Sequence, residues 1–252
     1  MSKLIRIGEA SRILGVSIDT LRRWDEAKHL PSIRVGETGI RMYNEDEIKS
    51  FSQKIQESKL NVVELAKQWI YSQDSYVPEP SKFYSENSSI FQTRLMKFGN
   101  IISKVIGLEK EFSLISSIVG EIGNNSFDHN LGNWPDILGN FFAYDLDKRQ
   151  IVLADRGQGI LKTLKRVRPK LDTDEKALKV AFTEIVSGRH PEARGNGLKY
   201  VVDVITNKIK DNKIELLFQT GSAQLTVSTD NKEIKIKSSS KTVRGCIAII
   251  NF

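Results

Sequence analysis

The stretch that decides the first part of the fold is IGEASRILGVSIDTLRRWDEAKHLP, residues 7–31. Apolar residues recur at helical spacing up to Gly15, and glycine commonly ends a helix. Ser17 is a suitable N-cap for a second helix over residues 18–27. Two short helices joined by such a turn predict a helix-turn-helix.

After this helix pair the pattern changes from helix to strand. Residues 33–43 alternate around Gly36 and Gly39, which predicts a β-hairpin. Asn44 can cap a third helix whose first turn is acidic. The sequence therefore predicts a winged helix-turn-helix domain over residues 1–53.

Three motifs in this region, LGVS, TLRRW and the later GIRMY of residues 39–43, occur in a specific order. They resemble the MerR-type helix-turn-helix family, especially the variants in excisionases and in the DNA-binding ends of transposon-associated serine recombinases. The wing departs from that pattern, because Ile40 and Met42 stand where relatives carry more polar or basic residues. The resemblance implies a domain that binds double-stranded DNA.

Four side chains are candidates for DNA contact: Thr20, Arg22, Arg23 and Arg41. A helix fits the major groove, and arginine can bind a guanine edge or a phosphate with two hydrogen bonds. The alternative for Arg22 and Arg23 is an ordinary solvated helix face. Trp24 and Tyr43 are expected in the core rather than against bases.

The net charge of the chain is unevenly distributed, which bears on how the first domain would bind DNA. The chain has 252 residues and a net charge of +7, yet residues 1–53 hold nine Lys/Arg and eight Asp/Glu, only +1. One such unit neutralises few phosphates, so we expect a homodimer on DNA.

The single cysteine, Cys246, cannot form an internal disulfide. Without a signal peptide or an apolar stretch of membrane-spanning length, we expect a cytoplasmic protein with no membrane partner.

The rest of the chain is larger and mixed. Residues 54–89 are predicted to be a helical linker that ends in an irregular Pro- and Ser-containing stretch. Residues 90–252 are predicted to hold helices over 91–106, 109–130, 174–186 and 197–208, strands over 140–145 and 150–154, and further strands from 214 to 252. Basic clusters at 162–170 and 232–244 are interpreted as solvated surface.

Three short boxes stand out within residues 90–252. They are Glu121, Asn125 and His129 on the predicted long helix; Asp155, Gly157 and Gly159 after an apolar strand; and Arg194, Gly195, Gly197 and Leu198 at the start of a helix. The first three residues are spaced i, i+4, i+8, so they share one helix face. Each box alone is a weak signal, since an Asp-x-Gly-x-Gly is often only a tight turn.

The order and separation of the boxes resemble the ATP-binding domain shared by histidine kinases, gyrase-type topoisomerases, the heat-shock chaperone of that class and anti-sigma-factor kinases, known as the GHKL domain. The resemblance covers residues 90–252. It implies an α+β protein whose C-terminal domain is a two-layer α/β sandwich of the Bergerat type. ATP and Mg²⁺ are the implied cofactors.

Each residue type suits a role at such a site. The amide oxygen of Asn125 can complete the shell of a Mg²⁺ that binds triphosphate oxygens. Glu121 can act as the catalytic base on a water or hydroxyl, or can be a helix-face salt-bridge partner. Asp155 can accept the exocyclic amino group of adenine, while Gly157 and Gly159 let backbone approach the base.

The third box is expected at the phosphates. Gly195 and Gly197 open a helix whose N–H groups can face phosphate oxygens, with Leu198 next in the chain and Arg194 in a mobile lid. His129 either assists the phosphates or packs. The last box of the family, Gly-Thr, is replaced by Gly-Cys at Cys246, and its threonine hydroxyl is missing unless Thr242 substitutes.

These patterns predict an ATP-responsive DNA-binding regulator of transcription or of a mobile element. Two alternatives remain: a protein serine/threonine kinase or ATPase that acts on a protein partner, and a DNA-binding adaptor with an inactive nucleotide site. A two-component sensor kinase is not favoured, because no phosphoacceptor-histidine helix is evident among the three histidines.

Overall fold

The computed structural model describes residues 3–26, 28, 30–36, 39–59, 61–73, 81–184 and 196–252. They divide into two compact units, Met1–Asn61 and Val62–Phe252. The first unit consists of β1 (Leu4–Arg6), α1 (Ile7–Leu14), α2 (Ile18–Glu26), β2 (Ile33–Val35), β3 (Ile40–Asn44) and α3 (Glu45–Lys59). Its antiparallel sheet has the order β1-β3-β2, and β1 was not predicted from the sequence.

Local signals place the helix ends of this unit. Gly15 follows α1 in the left-handed conformation, with φ at 65°, where glycine has no steric penalty. The N–H of Thr20 donates to Ser17 Oγ at 3.1 Å, and the N–H of Asp46 donates to Asn44 Oδ1 at 2.9 Å. The predicted helix stop and both predicted caps are confirmed.

The core of the first unit gathers one face of each element. Its buried members are Ile5, Ala10, Leu14, Leu21, Leu30, Tyr43 and Ile48. Trp24 packs edge-on against Phe51 with ring centroids 5.3 Å apart. The expectation that Trp24 and Tyr43 belong to the core is therefore confirmed.

The second unit is built on a five-stranded antiparallel sheet. Its elements are α4 (Val62–Tyr71), a 3-10 turn (Ser81–Phe83), β4 (Tyr84–Ser85), α5 (Ser88–Ile102), α6 (Phe112–Asn130), β5 (Asn140–Asp145), β6 (Gln150–Asp155), α7 (Gly159–Lys165), α8 (Asp174–Thr183), α9 (Gly197–Asp203), a π-helical turn (Val204–Lys208), β7 (Glu215–Ser228) and β8 (Lys235–Asn251). The strand order is β4-β5-β6-β8-β7. Helix α7 was not predicted.

Both faces of the central strands are apolar, and side chains alternate between them. The register places Phe142, Leu153 and Ala248 in one row and Phe141, Ala154 and Ile247 in the next. The first row joins the core under α5, α6, α8 and α9. The second row joins a separate core under α4.

Helix α4 corrects two predictions. Residues 54–89 were predicted to be a linker, but Ala66 and Trp69 of α4 are buried against the sheet and the units divide after Asn61. Because α4 covers the second apolar face, this unit has helices on both sides of its sheet rather than two layers. The α+β class itself is as predicted.

No helix in the part of the chain that the structure describes is both long enough and apolar enough to cross a membrane.

Candidate functional sites

A cavity of about 310 Å³ lies between the helices and the sheet of the second unit. This volume falls within the range of about 300–1,000 Å³ that small-ligand sites occupy. Its lining is Glu121, Ile122, Asn124, Asn125, Ser126, Asp128, His129, Asn130, Leu153, Ala154, Asp155, Gly159, Ile160, Thr163, Leu164, Ala181, Asn196, Gly197, Leu198, Phe218, Cys246 and Ala248. All three boxes of the sequence contribute to it.

One face of α6 supplies the polar wall of this cavity. Glu121, Asn125 and His129 are one helical turn apart and all line it, as their spacing predicts. Gly197, at the start of α9, closes on the first two: a Cβ there would lie 2.6 Å from Glu121 Oε2 and 3.6 Å from Asn125 Nδ2. A side chain at position 197 would therefore displace the carboxylate of Glu121 from its place beside α9.

Asp155 lies at the end of β6 and is buried. Its carboxylate accepts from the N–H of Gly157 at 2.9 Å and from the hydroxyl of Ser126 at 3.0 Å. Burial raises the pKa of Asp155 to about 6, although these hydrogen bonds act to lower it. The site thus holds a carboxyl group that is costly to ionise, a frequent property of functional residues.

The Asp-x-Gly-x-Gly loop is locked from behind by the end of α6. Asn130 Oδ1 accepts from the N–H of Gln158 at 2.8 Å, and a Cβ at Gly157 would lie 2.1 Å from Asn130 Nδ2. Gly157 therefore touches Asn130 rather than the cavity, while Gly159, with φ at 76°, lines it and begins α7. The sequence interpretation missed Asn130, although it lies four residues after Ser126 on the inner face of α6.

The Gly-Cys position lies beside Asp155. Gly245 has φ at 76°, and a Cβ there would lie 2.1 Å from the carbonyl oxygen of Asp155. Cys246 pairs with Asp155 across β6 and β8, and desolvation, helped by the Asp155 charge, raises the pKa of its thiol. The thiol is therefore protonated at neutral pH.

The threonine hydroxyl beside the Gly-Cys turn belongs to Thr220 and not to Thr242. Thr242 is exposed on β8 and does not line the cavity. Thr220 on β7 lies opposite Cys246, accepts from the N–H of Ile160 at 3.1 Å and donates to the carbonyl of Gly245 at 3.0 Å. Thr220 thus ties α7 to the Gly-Cys turn. A neighbouring strand supplies this hydroxyl, which the local sequence cannot indicate.

Arg156, next to Asp155, lies on the other side of the sheet. Its Nη1 donates to the carbonyl of Trp69 at 3.2 Å, and its Nη2 lies 2.6 Å from Asp136 Oδ2. Arg244, which precedes the Gly-Cys turn, also pairs with Asp136. Burial acts to raise the pKa of Asp136, but an N–H from Ile137 and the two arginines outweigh it and lower the pKa.

The lid part of the third box lies outside the described residues. This holds for Arg194 and Gly195, which were predicted to contact the nucleotide. The two other predicted residues of that box, Gly197 and Leu198, line the cavity. Their role remains a prediction.

In the first unit, the two helical arginines of α2 lie at the surface. Arg22 Nη1 pairs with Asp19 Oδ1 at 2.9 Å, and both side chains are exposed. Arg23 is exposed, with Nη2 3.5 Å from Thr20 Oγ1. Thr20 is half-buried, and its hydroxyl also lies 2.9 Å from that of Ser17. Arg22 and Arg23 thus lie on the solvent side of α2, where a DNA contact requires them.

Arg41 is already engaged within the protein. Its Nε lies 2.7 Å from Asp25 Oδ2, and Arg34 Nη2 lies 3.1 Å from the same oxygen. Burial acts to raise the pKa of Asp25, but Arg41, Ser32 and Arg34 outweigh it and bring the pKa to about 2. The wing arginine thus holds β3 against the end of α2, a contact that the sequence interpretation did not include.

A comparison with protein families bears on the first unit. The model of the MerR family regulatory protein matches residues 6–43. The chain is also similar to the type II methyltransferase M.Eco47II of Escherichia coli, with 47% identity over 47 residues, 19% of this chain and 11% of that protein. The chain thus spans only about a tenth of that relative. Residues 6–43 are a MerR-family helix-turn-helix domain.

Proposed function

We propose that this protein is a DNA-binding regulator of transcription or of a mobile element whose second unit binds ATP with Mg²⁺. One observation carries the nucleotide part. Residues from three boxes, separated along the chain by tens of residues, line a single cavity: Glu121 and Asn125, Asp155 and Gly159, and Gly197. Their resemblance to the GHKL domain supplies the identity of the ligand.

Asp155 is the proposed base-recognition group. Its carboxylate is buried and lines a cavity whose wall also has apolar residues such as Leu153 and Phe218, where an aromatic base would be desolvated. A ligand amino group that donates to Asp155 would replace the water that a buried carboxylate lacks. The raised pKa is consistent with a carboxyl group whose best partner is a ligand.

Asn125 and Glu121 are the proposed phosphate-end groups. Among the described residues, no three His, Cys, Asp or Glu side chains converge on a metal site. A single amide ligand suits Mg²⁺ that takes its other ligands from phosphates and water. The adjacent Asn125 and Glu121 side chains beside Gly197 fit that arrangement. Bound Mg·ATP would supply the transferable phosphoryl group.

Arg22 and Arg23 are the proposed DNA-reading side chains. They are exposed on α2, the second helix of the MerR-family domain, which is the helix that enters the major groove in helix-turn-helix proteins. With a charge of only +1 on residues 1–53, two copies on adjacent half-sites are needed for useful affinity.

The two activities are proposed to be coupled through α4. This helix begins one residue after the first unit ends and packs on the sheet that carries Asp155. Nucleotide binding that favours one position of α4 would change DNA affinity by the same factor as DNA changes nucleotide affinity.

Titration calorimetry of the full chain with ATP, with and without Mg²⁺, tests the nucleotide site. Asn125→Ala should abolish the Mg²⁺-dependent part of binding, and Asp155→Ala should remove the preference for ATP over GTP. Asn207→Ala is the matched control, because its amide donates to Asp203 at the surface and does not line the cavity. Unchanged binding in both site variants would overturn the assignment.

DNA binding is tested by selecting a duplex site for the full chain and comparing it with a scrambled site. Arg23→Ala should cost about 1–3 kcal/mol at the selected site if this arginine reads a base, and should relax specificity at one position. If wild type shows no preference and Arg23→Ala changes nothing, the regulator proposal fails.

Glu121 favours a second candidate, a protein kinase or ATPase of the same class. Its carboxylate lines the cavity one turn before Asn125, within reach of a group that needs a general base. Glu121→Gln should then abolish phosphate release or transfer from labelled ATP while binding persists. Equal turnover in both proteins would assign Glu121 a structural role. Absence of all nucleotide binding would favour the adaptor without an active site.

A further inference from the structure

The surface of α7 and the turns that follow it is strongly positive. Residues 159–170 contain five Lys or Arg and no Asp or Glu, all five exposed: Lys162, Lys165, Arg166, Arg168 and Lys170. We call these five side chains the basic ridge. Backbone hydrogen bonds from Val167, Arg168 and Leu171 hold the turns in order, so the ridge is presented by a fixed backbone.

The two lysines of α7 point away from the cavity. Helix α7 lines the cavity with Gly159, Ile160, Thr163 and Leu164. Lys162 and Lys165 occupy the opposite side of the helix and are exposed. The ridge is therefore not part of the cavity wall, and a ligand inside the cavity does not account for it.

Four of the five charges, all except that of Arg168, have no acidic partner in the described part of the chain. Arg168 pairs with Glu184, and Arg166 donates to Gln158. No ion pair of Lys162, Lys165 or Lys170 occurs within those residues. The acids at the start of α8 are engaged elsewhere: Asp172 with Lys176, Asp174 with Ser222, and Glu175 with Ser238. The ridge therefore carries uncompensated positive charge.

A duplex is the polyanion that this ridge fits best. DNA carries one charge per about 1.7 Å of helix axis, and a row of lysines on a rigid surface can follow its phosphates. The helix-turn-helix unit of the same chain would bring DNA to a high local concentration, while its own charge of +1 leaves most phosphates unneutralised.

We propose that the basic ridge is a second DNA-contacting surface, which binds backbone phosphates of the duplex held by residues 6–43. This inference rests on the proposed DNA-binding function. Phosphate contacts add affinity without sequence information, so the ridge strengthens binding to any duplex and leaves site choice to the helix-turn-helix.

The test compares the full-length wild type with the triple variant Lys162→Gln/Lys165→Gln/Lys170→Gln on a selected and a scrambled duplex over a salt series. The variant should bind both duplexes about tenfold or more weakly at low salt, with the ratio between them kept. Its slope of log affinity against log salt should be shallower by about 0.9 for each phosphate that the variant no longer neutralises. Mg·ATP affinity and thermal stability should not change.

The matched control is Lys97→Gln/Lys104→Gln/Lys232→Gln, which removes the same charge from exposed lysines outside the ridge. If the ridge variant and this control bind DNA equally, the proposal is overturned and an acidic protein becomes the partner class to test. Loss of ATP affinity with unchanged DNA binding would also overturn it. Arg22→Ala/Arg23→Ala separates the two proposals: if it abolishes site preference while the ridge variant has no effect, only the ridge inference fails.

Discussion

Asp25 in the first unit and Asp155 in the second are both poorly exposed carboxylates with opposite surroundings. Asp25 lies between Arg41 and Arg34, and its pKa falls to about 2. Asp155 accepts from neutral donors, the N–H groups of Gly157 and Cys246 and the hydroxyl of Ser126, and burial raises its pKa to about 6. Asp25 therefore has two arginine partners, whereas no Lys or Arg in the described part of the chain pairs with Asp155.

Under the proposed function, the difference separates a carboxylate that holds structure from one that binds a ligand. A paired carboxylate stabilises the folded state, because unfolding returns both charges to water unpaired. A buried carboxylate without a cation lowers the stability of the folded state when it is ionised. Such carboxylates are found most often at functional sites.

Arg156 provides the sharpest test within one box, since its neighbour Asp155 faces the cavity. Arg156→Ala should lower the free energy of unfolding of the second unit by about 3–4 kcal/mol, because it leaves Asp136 with one cation fewer and the Trp69 carbonyl without its donor. Chemical denaturation of the full chain measures this. Arg166→Ala, at the exposed surface, should cost about 0.5 kcal/mol or less. Equal losses in both variants would contradict a structural role for Arg156.

Asp155→Asn should instead raise the free energy of unfolding at neutral pH. The folded pKa of about 6 exceeds the unfolded 3.8, so the ionised carboxylate costs stability above pH 6, by at most about 3 kcal/mol, and nothing below pH 3.8. The variant should therefore be more stable than wild type at pH 7, and the gain should disappear as the pH falls through this window. Urea unfolding between pH 4 and pH 8 measures it.

Asp147→Asn, on the exposed β5–β6 turn, is the control and should change stability little at any pH. If Asp155→Asn destabilises the protein at pH 7, Asp155 is a structural residue like Asp25. The comparison would then fail.

Asp25→Asn should destabilise the first unit at neutral pH. The pair with Arg41 contributes above pH 3.8 and is lost as the pH falls towards 2, a shift equivalent to about 1–2 kcal/mol after screening by nearby solvent. Hydrogen exchange of β2 and β3 amides in the full chain measures the change locally. Asp19→Asn, which breaks only the exposed pair with Arg22, should leave those amides unchanged.

The smallest expected effect on stability concerns the N-cap of α2. Ser17→Ala removes the acceptor of the Thr20 N–H at the start of α2 and should cost about 1 kcal/mol. Faster exchange of amides in the first turn of α2 would show it. Ser17→Asp retains an acceptor and should keep the protection of wild type. Unchanged exchange in Ser17→Ala would mean that packing of Leu21, not the cap, fixes this helix.

Much of the candidate site followed from spacing alone. Residues four apart share a helix face, so Glu121, Asn125 and His129 were expected to line one surface, and the cavity contains all three. Gly159 and Gly197 were also expected in the site, and both line the cavity. Asn130 and Thr220 were missed because their partners, Gln158 and Gly245, are distant in sequence.

Local features follow from the amino-acid sequence: the end of α1 at Gly15, the residues that cap α2 and α3, and the positions of β5 and β6. These depend on contacts within a few residues, which spacing and residue type encode. Long-range packing places α4 on the second face of the sheet, brings Arg156 to a carbonyl 87 residues earlier in the chain, and pairs Arg41 with Asp25. Alternation shows that two faces are apolar, but not which element covers each. A charge pattern shows which side chains need partners, while packing between distant segments selects the partner.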